Sequence, residues 1–441
     1  MSIKKSISYI FSAQILNTVI GFIASVIITR LLGAEGRGEN AIFTNAISFA
    51  VLFFGFSISS TIPYFINSGK AKAEELLTTI LIFSFGSAVL VFGTLSIFEN
   101  IGKLHWALSD GIQSFQYKVI FTGIYLSTLL NGILSTYLLT YKKFKEVSIY
   151  GVIFQIFPLS IYLFLYFNII PYNHDHPFEN IVHIIGITSL ISIIAIILLF
   201  IKTVPVRPSK TLIPPGVIKQ FIFFSSMAYI GNVATFLNYK LDFWVVDEYY
   251  GKSQLGIYSL AAQLSQLLWI LPSAIASVLY SYASKCSEKD AVQYTIRLKQ
   301  IAFYATFLLG LIGLLLAYFF IPILYGKEFS GAFNLMMIFI LGVIPFSLPT
   351  VIASLFAARG NFKMSFVLSL IIFVFSSIMY FTLIPHFGLI GGAASSAIAY
   401  LLGSIMCEIW FCKHYKVSFF NLFIFEKNFL YIKKITSYFK Q

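Results

Sequence analysis

Lys240 and Asp242 are the residues of this chain best placed to handle charge where water is scarce. They lie in FIFFSSMAYIGNVATFLNYKLDFWVVDEYYGKSQLG (221–256), a stretch long and apolar enough to cross a bilayer. The same stretch carries Ser225, Ser226, Asn232, Thr235 and Asn238. At about 100° per residue, Ser225, Asn232 and Tyr239 stack along one line, with Thr235 and Asp242 on one flank and Lys240 on the other. A lone charge at the centre of a membrane helix costs roughly 2.5–3.5 kcal/mol, so both residues must face protein, water or each other. Lys240 suits an anionic group; Asp242 suits a coupling cation or tunes the lysine. The structural alternatives are a static ion pair between helices and a lysine that snorkels to the headgroups. Residues two apart on a helix point about 160° away from one another, so the two need separate partners.

Arg30 closes the first apolar run, in TRLLGAEGRG. Its planar fork matches a diphosphate; anchoring the helix end is the plainer role. Arg37 and Arg359 sit at loop edges, where headgroup contact fits. Gln14, Asn17, Asn131, Gln155, Asn232, Gln263 and Gln266 are amides inside apolar runs. They suit either a hydrophilic path for sugars or hydrogen bonds between helices. The candidate substrate-binding set is therefore Arg30, Lys240, Asp242, Gln14, Asn17, Asn232 and Asn238. Glu408, near the end of the last apolar run, reads as a snorkelling or paired residue. His174-Asp175-His176 is too sparse to read as a metal site, and Cys286, Cys407 and Cys412 lack metal-ligand spacing. No phosphate-binding P-loop, zinc signature or nucleophile elbow is present, which argues against a self-contained ATP-driven pump and against an enzyme.

The elements that position these residues follow from composition. Of 441 residues, 58% are hydrophobic and 11% charged, against about 25% charged in soluble domains. This is the signature of an all-α, polytopic membrane protein. Twelve apolar runs fit a hydrocarbon core: 7–29, 41–66, 76–98, 117–140, 147–170, 181–201, 219–248, 255–281, 300–324, 332–357, 364–385 and 389–412. The first run is too long for a signal-peptide core and reads as a retained helix. Of the 30 Lys and Arg, 23 fall in alternate connections and at the two ends. That places both termini in the cytoplasm and assigns the net charge of +13 to topology and lipid headgroups, not nucleic acid.

An internal repeat is legible at an offset of 218 residues. Gly33 and Gly38 match Gly251 and Gly256; Gln14 matches Asn232; Phe144-Lys145 matches Phe362-Lys363. The expected organisation is an N-terminal six-helix bundle (1–201), a Pro-rich cytoplasmic linker (202–218), a C-terminal six-helix bundle (219–412) and a basic tail (413–441). Two parallel repeats are expected to leave a central cleft and to give alternating access by rocking. The basic, aromatic tail suits an interfacial helix.

Five stretches carry a family likeness: ITRLLGAEGRGENAIF (28–43), KLDFWVVDEYYGKSQLGIYSLA (240–261), LYGKEFSGAFNLMMIFILG (324–342), LFAARGNFK (355–363) and LIPHFGLIGGAASSAIAYLL (383–402). In order and together they resemble the bacterial polysaccharide transporters. These are the oligosaccharide-lipid flippases of the multidrug/oligosaccharidyl-lipid/polysaccharide exporter superfamily. The resemblance implies a multidrug-exporter-like fold in the bacterial inner membrane. It implies translocation of undecaprenyl-diphosphate-linked oligosaccharide from the cytoplasmic to the periplasmic leaflet, for O-antigen, capsule or exopolysaccharide. It implies membrane lipids, a polysaccharide polymerase and chain-length proteins as partners, and no cofactor, with coupling to Na⁺ or H⁺ left open. The family often has Arg at the position of Lys240, followed by Asp at the position of Asp242. The alternatives are a cation-coupled multidrug exporter of the same superfamily and a membrane-embedded glycan polymerase or ligase. The first needs a carboxylate-rich cavity for cationic substrates, the second an acid/base cluster in longer outer loops.

Overall fold

The computed structural model describes residues 3–108, 115–171, 176–284, 286–361 and 363–419. His174, Asp175, Phe362 and the tail from 420 onward lie outside the described residues. Among the described residues every regular element is helical. The order is α1 (Ile3–Gly55), α2 (Ile62–Asn67), α3 (Ala73–Asn100), α4 (Phe115–Thr140), α5 (Phe144–Tyr166), α6 (Pro177–Thr203), α7 (Pro215–Gln266), α8 (Ile270–Ala283), α9 (Glu288–Leu324), α10 (Gly331–Val343), α11 (Ser347–Ala358) and α12 (Lys363–Tyr415).

Nine helical stretches among the described residues are long and apolar enough to cross a membrane. The twelve apolar runs map onto these nine because three pairs follow one another without a loop. Each pair is joined at a single glycine: Gly33 in α1, Gly251 in α7 and Gly388 in α12. Gly33 has φ 66° and ψ −170°, and Gly251 has φ 75° and ψ 178°. That region is open essentially to glycine alone. The ninth run also begins earlier than its apolar residues suggest. Ser287 caps α9, its hydroxyl accepting from the Asp290 backbone N–H at 3.2 Å, and Glu288 and Asp290 favour the first turn. Lys299 is thereby three turns inside the helix and not in a loop.

The chain forms two compact units, Met1–Gly256 and Ile257–Gln441. In the first, α1 packs on α5 and α4 on α6. Its core runs through Phe43, Phe65, Phe121, Tyr125 and Tyr137. The boundary at Gly256 falls later than the Pro-rich segment 202–218, because the first part of α7 packs against α1. That segment is docked: Thr78 Oγ1 donates to the Ser209 carbonyl at 2.9 Å and accepts from its N–H at 2.8 Å. In the second unit, α8, α9, α11 and α12 enclose Leu279, Ala283, Ala302, Ile352, Leu355 and Phe411.

The repeat is written into the backbone of the first unit. A Cβ on Gly38 would stand 1.9 Å from the carbonyl oxygen of Lys252, and a Cβ on Gly256 would stand 1.9 Å from that of Ala34. Ala34 and Lys252 are themselves 218 apart, so the contact is reciprocal: each turn offers a glycine to the other's carbonyl. Away from it, α7 meets α1 through rings, with Phe49–Phe236 at 5.8 Å, Phe49–Trp244 at 6.0 Å and Phe56–Tyr229 at 4.8 Å. Gly36 gives the internal comparison, since a Cβ there meets only the flexible Leu32 side chain at 3.1 Å. Gly38→Ala and Gly256→Ala are each expected to destabilise the fold by about 1–3 kcal/mol, as overpacking against rigid backbone does. Gly36→Ala is expected to cost much less. Thermal unfolding of the purified variants in detergent checks the order.

Candidate functional site

The structure separates the sequence-derived candidates into groups with different surroundings. Gln14 and Asn17 lie on α1 where it packs on α5. Gln14 is exposed, and its carbonyl accepts from Thr18 Oγ1 at 2.9 Å. Asn17 Nδ2 faces Gly151, and Gln155 Nε2 faces Gly21; a Cβ on these glycines would meet the amides at 3.6 and 3.2 Å. Two small residues thus make room for two amides between the helices. Asn17 Oδ1 is buried there and has no hydrogen-bond partner.

On α7, Asn232 Nδ2 donates to Ser57 Oγ at 3.2 Å, and Ser225 Oγ lies 3.2 Å from Thr61 Oγ1. These polar groups tie α7 to the segment after α1, which is the role of interhelical hydrogen bonds. Asn131 does the same between α4, α5 and α6: its Nδ2 donates to Ser192 Oγ at 2.9 Å and its Oδ1 accepts from Tyr150. Asn238 and Asp242, one turn apart, are both buried. Asp242 Oδ1 accepts the Phe243 backbone N–H at 3.1 Å.

Lys240 differs from all of these. It is half-buried, and its ammonium lies over the Phe243 ring, 4.4 Å from the centroid. Asp242, two residues on, acts on it electrostatically, but no described carboxylate closes an ion pair with it. Other cations outside the basic connections are accounted for. Lys103 meets Glu248 at 3.4 Å, Lys118 meets Glu99 at 2.5 Å, Lys252 pairs with Asp247, and Lys327 is exposed. A ring face attracts a cation but cannot neutralise it. Lys240 is a cation within an apolar helix whose nearest described neighbours are a π-face and, without a closed ion pair, Asp242.

The two arginines near the first glycine turn have different surroundings. Arg30, chosen from sequence as a diphosphate ligand, is exposed. Arg37, expected to touch headgroups, is 7% exposed. The turn at Gly33 folds Arg37 back along the first part of α1, where its Nη1 donates to Thr29 Oγ1 and to Ser25 Oγ at 3.4 Å. Sequence periodicity missed this because the turn resets the helical phase between Thr29 and Arg37. Arg359 likewise does more than face headgroups: its Nη2 donates to the Cys286 carbonyl at 2.8 Å. Among the described residues no group of His, Cys, Asp and Glu is arranged to hold a metal.

Comparison with known proteins now gives the family. A family model described as "Polysaccharide biosynthesis protein" matches residues 3–287. The chain belongs to that family. It is similar to the capsular polysaccharide biosynthesis protein CapF of Staphylococcus aureus, 24% identical over 438 residues, spanning 91% of this chain and 97% of the relative. Its fold matches the lipid II flippase MurJ in an inward closed conformation, with a TM-score of 0.73, 15% identity and 98% of both chains covered. It also matches an inward-facing multidrug resistance MATE transporter of the MOP superfamily, with a TM-score of 0.66, 15% identity and 91% and 94% of the two chains covered. The all-α, multidrug-exporter-like fold read from the sequence is thus shown.

Thr29→Val is expected to strip Arg37 of a buried acceptor. A hydrogen bond to a charged group is worth about 1.5–3 kcal/mol. Thermal unfolding of Thr29→Val should show a loss of that size, and Arg30→Ala almost none.

Proposed function

We propose that this protein is a flippase for a lipid-linked oligosaccharide, carrying undecaprenyl-diphosphate-linked repeat units from the cytoplasmic to the periplasmic leaflet during surface polysaccharide synthesis. The observation that carries the reading is Lys240, half-buried beside Phe243, with Asp242 acting on it electrostatically but no carboxylate closing an ion pair. A cation not closed into an ion pair within a membrane helix is costly unless a ligand completes it. The complement is an anion that itself cannot cross hydrocarbon unaided, because its charge and hydroxyls would lose their solvation. A sugar diphosphate on a polyprenyl chain fits. The diphosphate meets the ammonium, amides such as Asn17 and Asn238 serve the hydroxyls, and the tail stays in lipid. Membership of a polysaccharide biosynthesis family and a fold shared with MurJ support the same substrate class.

The mechanism proposed is alternating access, with the inner membrane as location, both termini cytoplasmic and twelve crossings in two six-helix repeats. With the cytoplasm negative, outward movement of an anion is favoured by about 2.3 kcal/mol per charge for each 100 mV. Polymerase and chain-length proteins are proposed as the downstream partners. A cationic drug would be repelled by Lys240, which sets the multidrug-exporter reading second.

Reconstitution in vesicles tests the reading. Loss of a charge-assisted contact worth about 1.5–3 kcal/mol is expected to slow flipping of the lipid-linked oligosaccharide by roughly 10- to 100-fold in Lys240→Ala. Lys240→Arg, which keeps the charge, should keep most of the rate. Full-rate flipping by a Lys240→Ala/Arg30→Ala protein would remove the cationic site from the account.

A further inference from the structure

The connection after α3 lays Trp106 on Trp244 and Glu248 of α7. Leu104 and Leu108, 1% and 0% exposed, root it in the core of the first unit. Trp106 Nε1 donates to Glu248 Oε2 at 3.1 Å, and Trp244 Nε1 donates to the Trp106 carbonyl at 3.0 Å. Lys103 Nζ donates to Glu248 Oε1 at 3.4 Å and stands 4.9 Å from the centroid of the Trp106 ring. His105 Nε2 lies 3.6 Å from Glu248 Oε2. The Trp106 indole is thus gripped by its N–H edge and by its own backbone, while the residue stays 40% exposed. Lys103 and Glu248 beside it are exposed as well.

Two plainer roles leave features of this cluster unused. Tryptophans of a membrane interface turn their N–H groups to headgroups and water; both of these N–H groups bond inside the protein. A clasp that only fastened the connection to α7 would need the N–H and the carboxylate, and burying the ring would strengthen it. The position of the cluster on α7 adds a third observation. Lys240, Trp244 and Glu248 are spaced four residues apart, so they rise along one side of the helix over about 12 Å.

We infer that Trp106, with Lys103 and Glu248 at its edge, is a sugar-stacking platform for the glycan of the lipid-linked substrate. The C–H face of a pyranose ring is apolar and packs on an indole face, and a few placed polar groups then fix its orientation. Lys103 donates to the sugar hydroxyls, and Glu248 accepts from them with the lone-pair capacity its partners leave. With the diphosphate at Lys240, the first sugars extend along α7 toward Trp106. The lysine recognises the charge common to every polyprenyl diphosphate. The platform recognises the glycan, and so selects which repeat unit is carried. The inference deepens the flippase reading and rests on it for the nature of the glycan; its binding readout needs no transport.

The test uses the full chain in phosphatidylcholine nanodiscs, which leave both faces open. The probe is the repeat-unit oligosaccharide freed by mild acid from the host's own polyprenyl diphosphate. N-bromosuccinimide oxidation, mapped by mass spectrometry, should mark Trp106 in the protein alone and fall several-fold there with the oligosaccharide present. Inorganic diphosphate should give no such protection. Equal oxidation of Trp106 with and without the oligosaccharide would overturn the inference, and this measurement needs no variant, so it decides even if Trp106→Ala fails to fold. By calorimetry, Trp106→Ala should weaken oligosaccharide binding roughly 10-fold, and Trp106→Phe, which keeps a ring and loses the N–H, only about 2-fold. A mere clasp predicts equal losses in the two variants, because both lack the bond to Glu248, and that result would overturn the platform. A protein that binds the oligosaccharide at Trp106 but flips nothing would contradict the proposed function and leave the platform standing. Full-rate flipping by Trp106→Ala would do the opposite.

Discussion

Hydrocarbon offers no solvation, so each charge carried to membrane depth must be completed inside the protein. That constraint sorts the polar residues of this chain. Lys118 is completed by Glu99, Lys252 by Asp247, Lys299 by Glu408, and Arg37 by the hydroxyls of Thr29 and Ser25. Asn131 and Asn232 spend their amides between helices. Some polar groups are left over. Lys240 has a ring and no closed ion pair, and Asn17 Oδ1 has no donor among the described residues.

The two glycine turns show how one sequence device is used twice. Gly33 and Gly251 reverse the chain in a conformation that bars a side chain, and Gly38 and Gly256 then let each turn receive the other's carbonyl. Each contact is the other's with the partners exchanged, at the 218-residue offset of the glycines. Such a contact holds α1 to α7 by shape and not by charge. Elsewhere these two helices meet through aromatic rings such as Phe49–Phe236 and Phe49–Trp244.

Much of this was legible in the sequence, and the misses have physical causes. Length and hydropathy marked the apolar segments, and the 218-residue offset marked the glycines, because both signals are local or periodic. Periodicity could not show that paired runs join at one glycine without a loop. Nor could it say that Arg37 folds inward while Arg30 stays outside, since a turn at Gly33 separates Arg37 from the face it joins. Lys299 looked like a loop cation because apolar residues begin after it, yet the Ser287 cap starts the helix three turns earlier. Its partner is 109 residues away, a separation at which side-chain pattern carries no information about contact. Lys240 was visible from the start, because an unmatched charge in an apolar run is conspicuous in any conformation.

The most direct test of the central claim is the location of lipid-linked sugar in the native host after deletion of this gene. Polyprenyl-diphosphate oligosaccharide would be assayed for accessibility on each face of the membrane, in a strain lacking any second flippase. The account predicts that completed repeat units accumulate on the cytoplasmic face and that surface polymer is lost. Repeat units that reach the periplasmic face at the normal rate would contradict it.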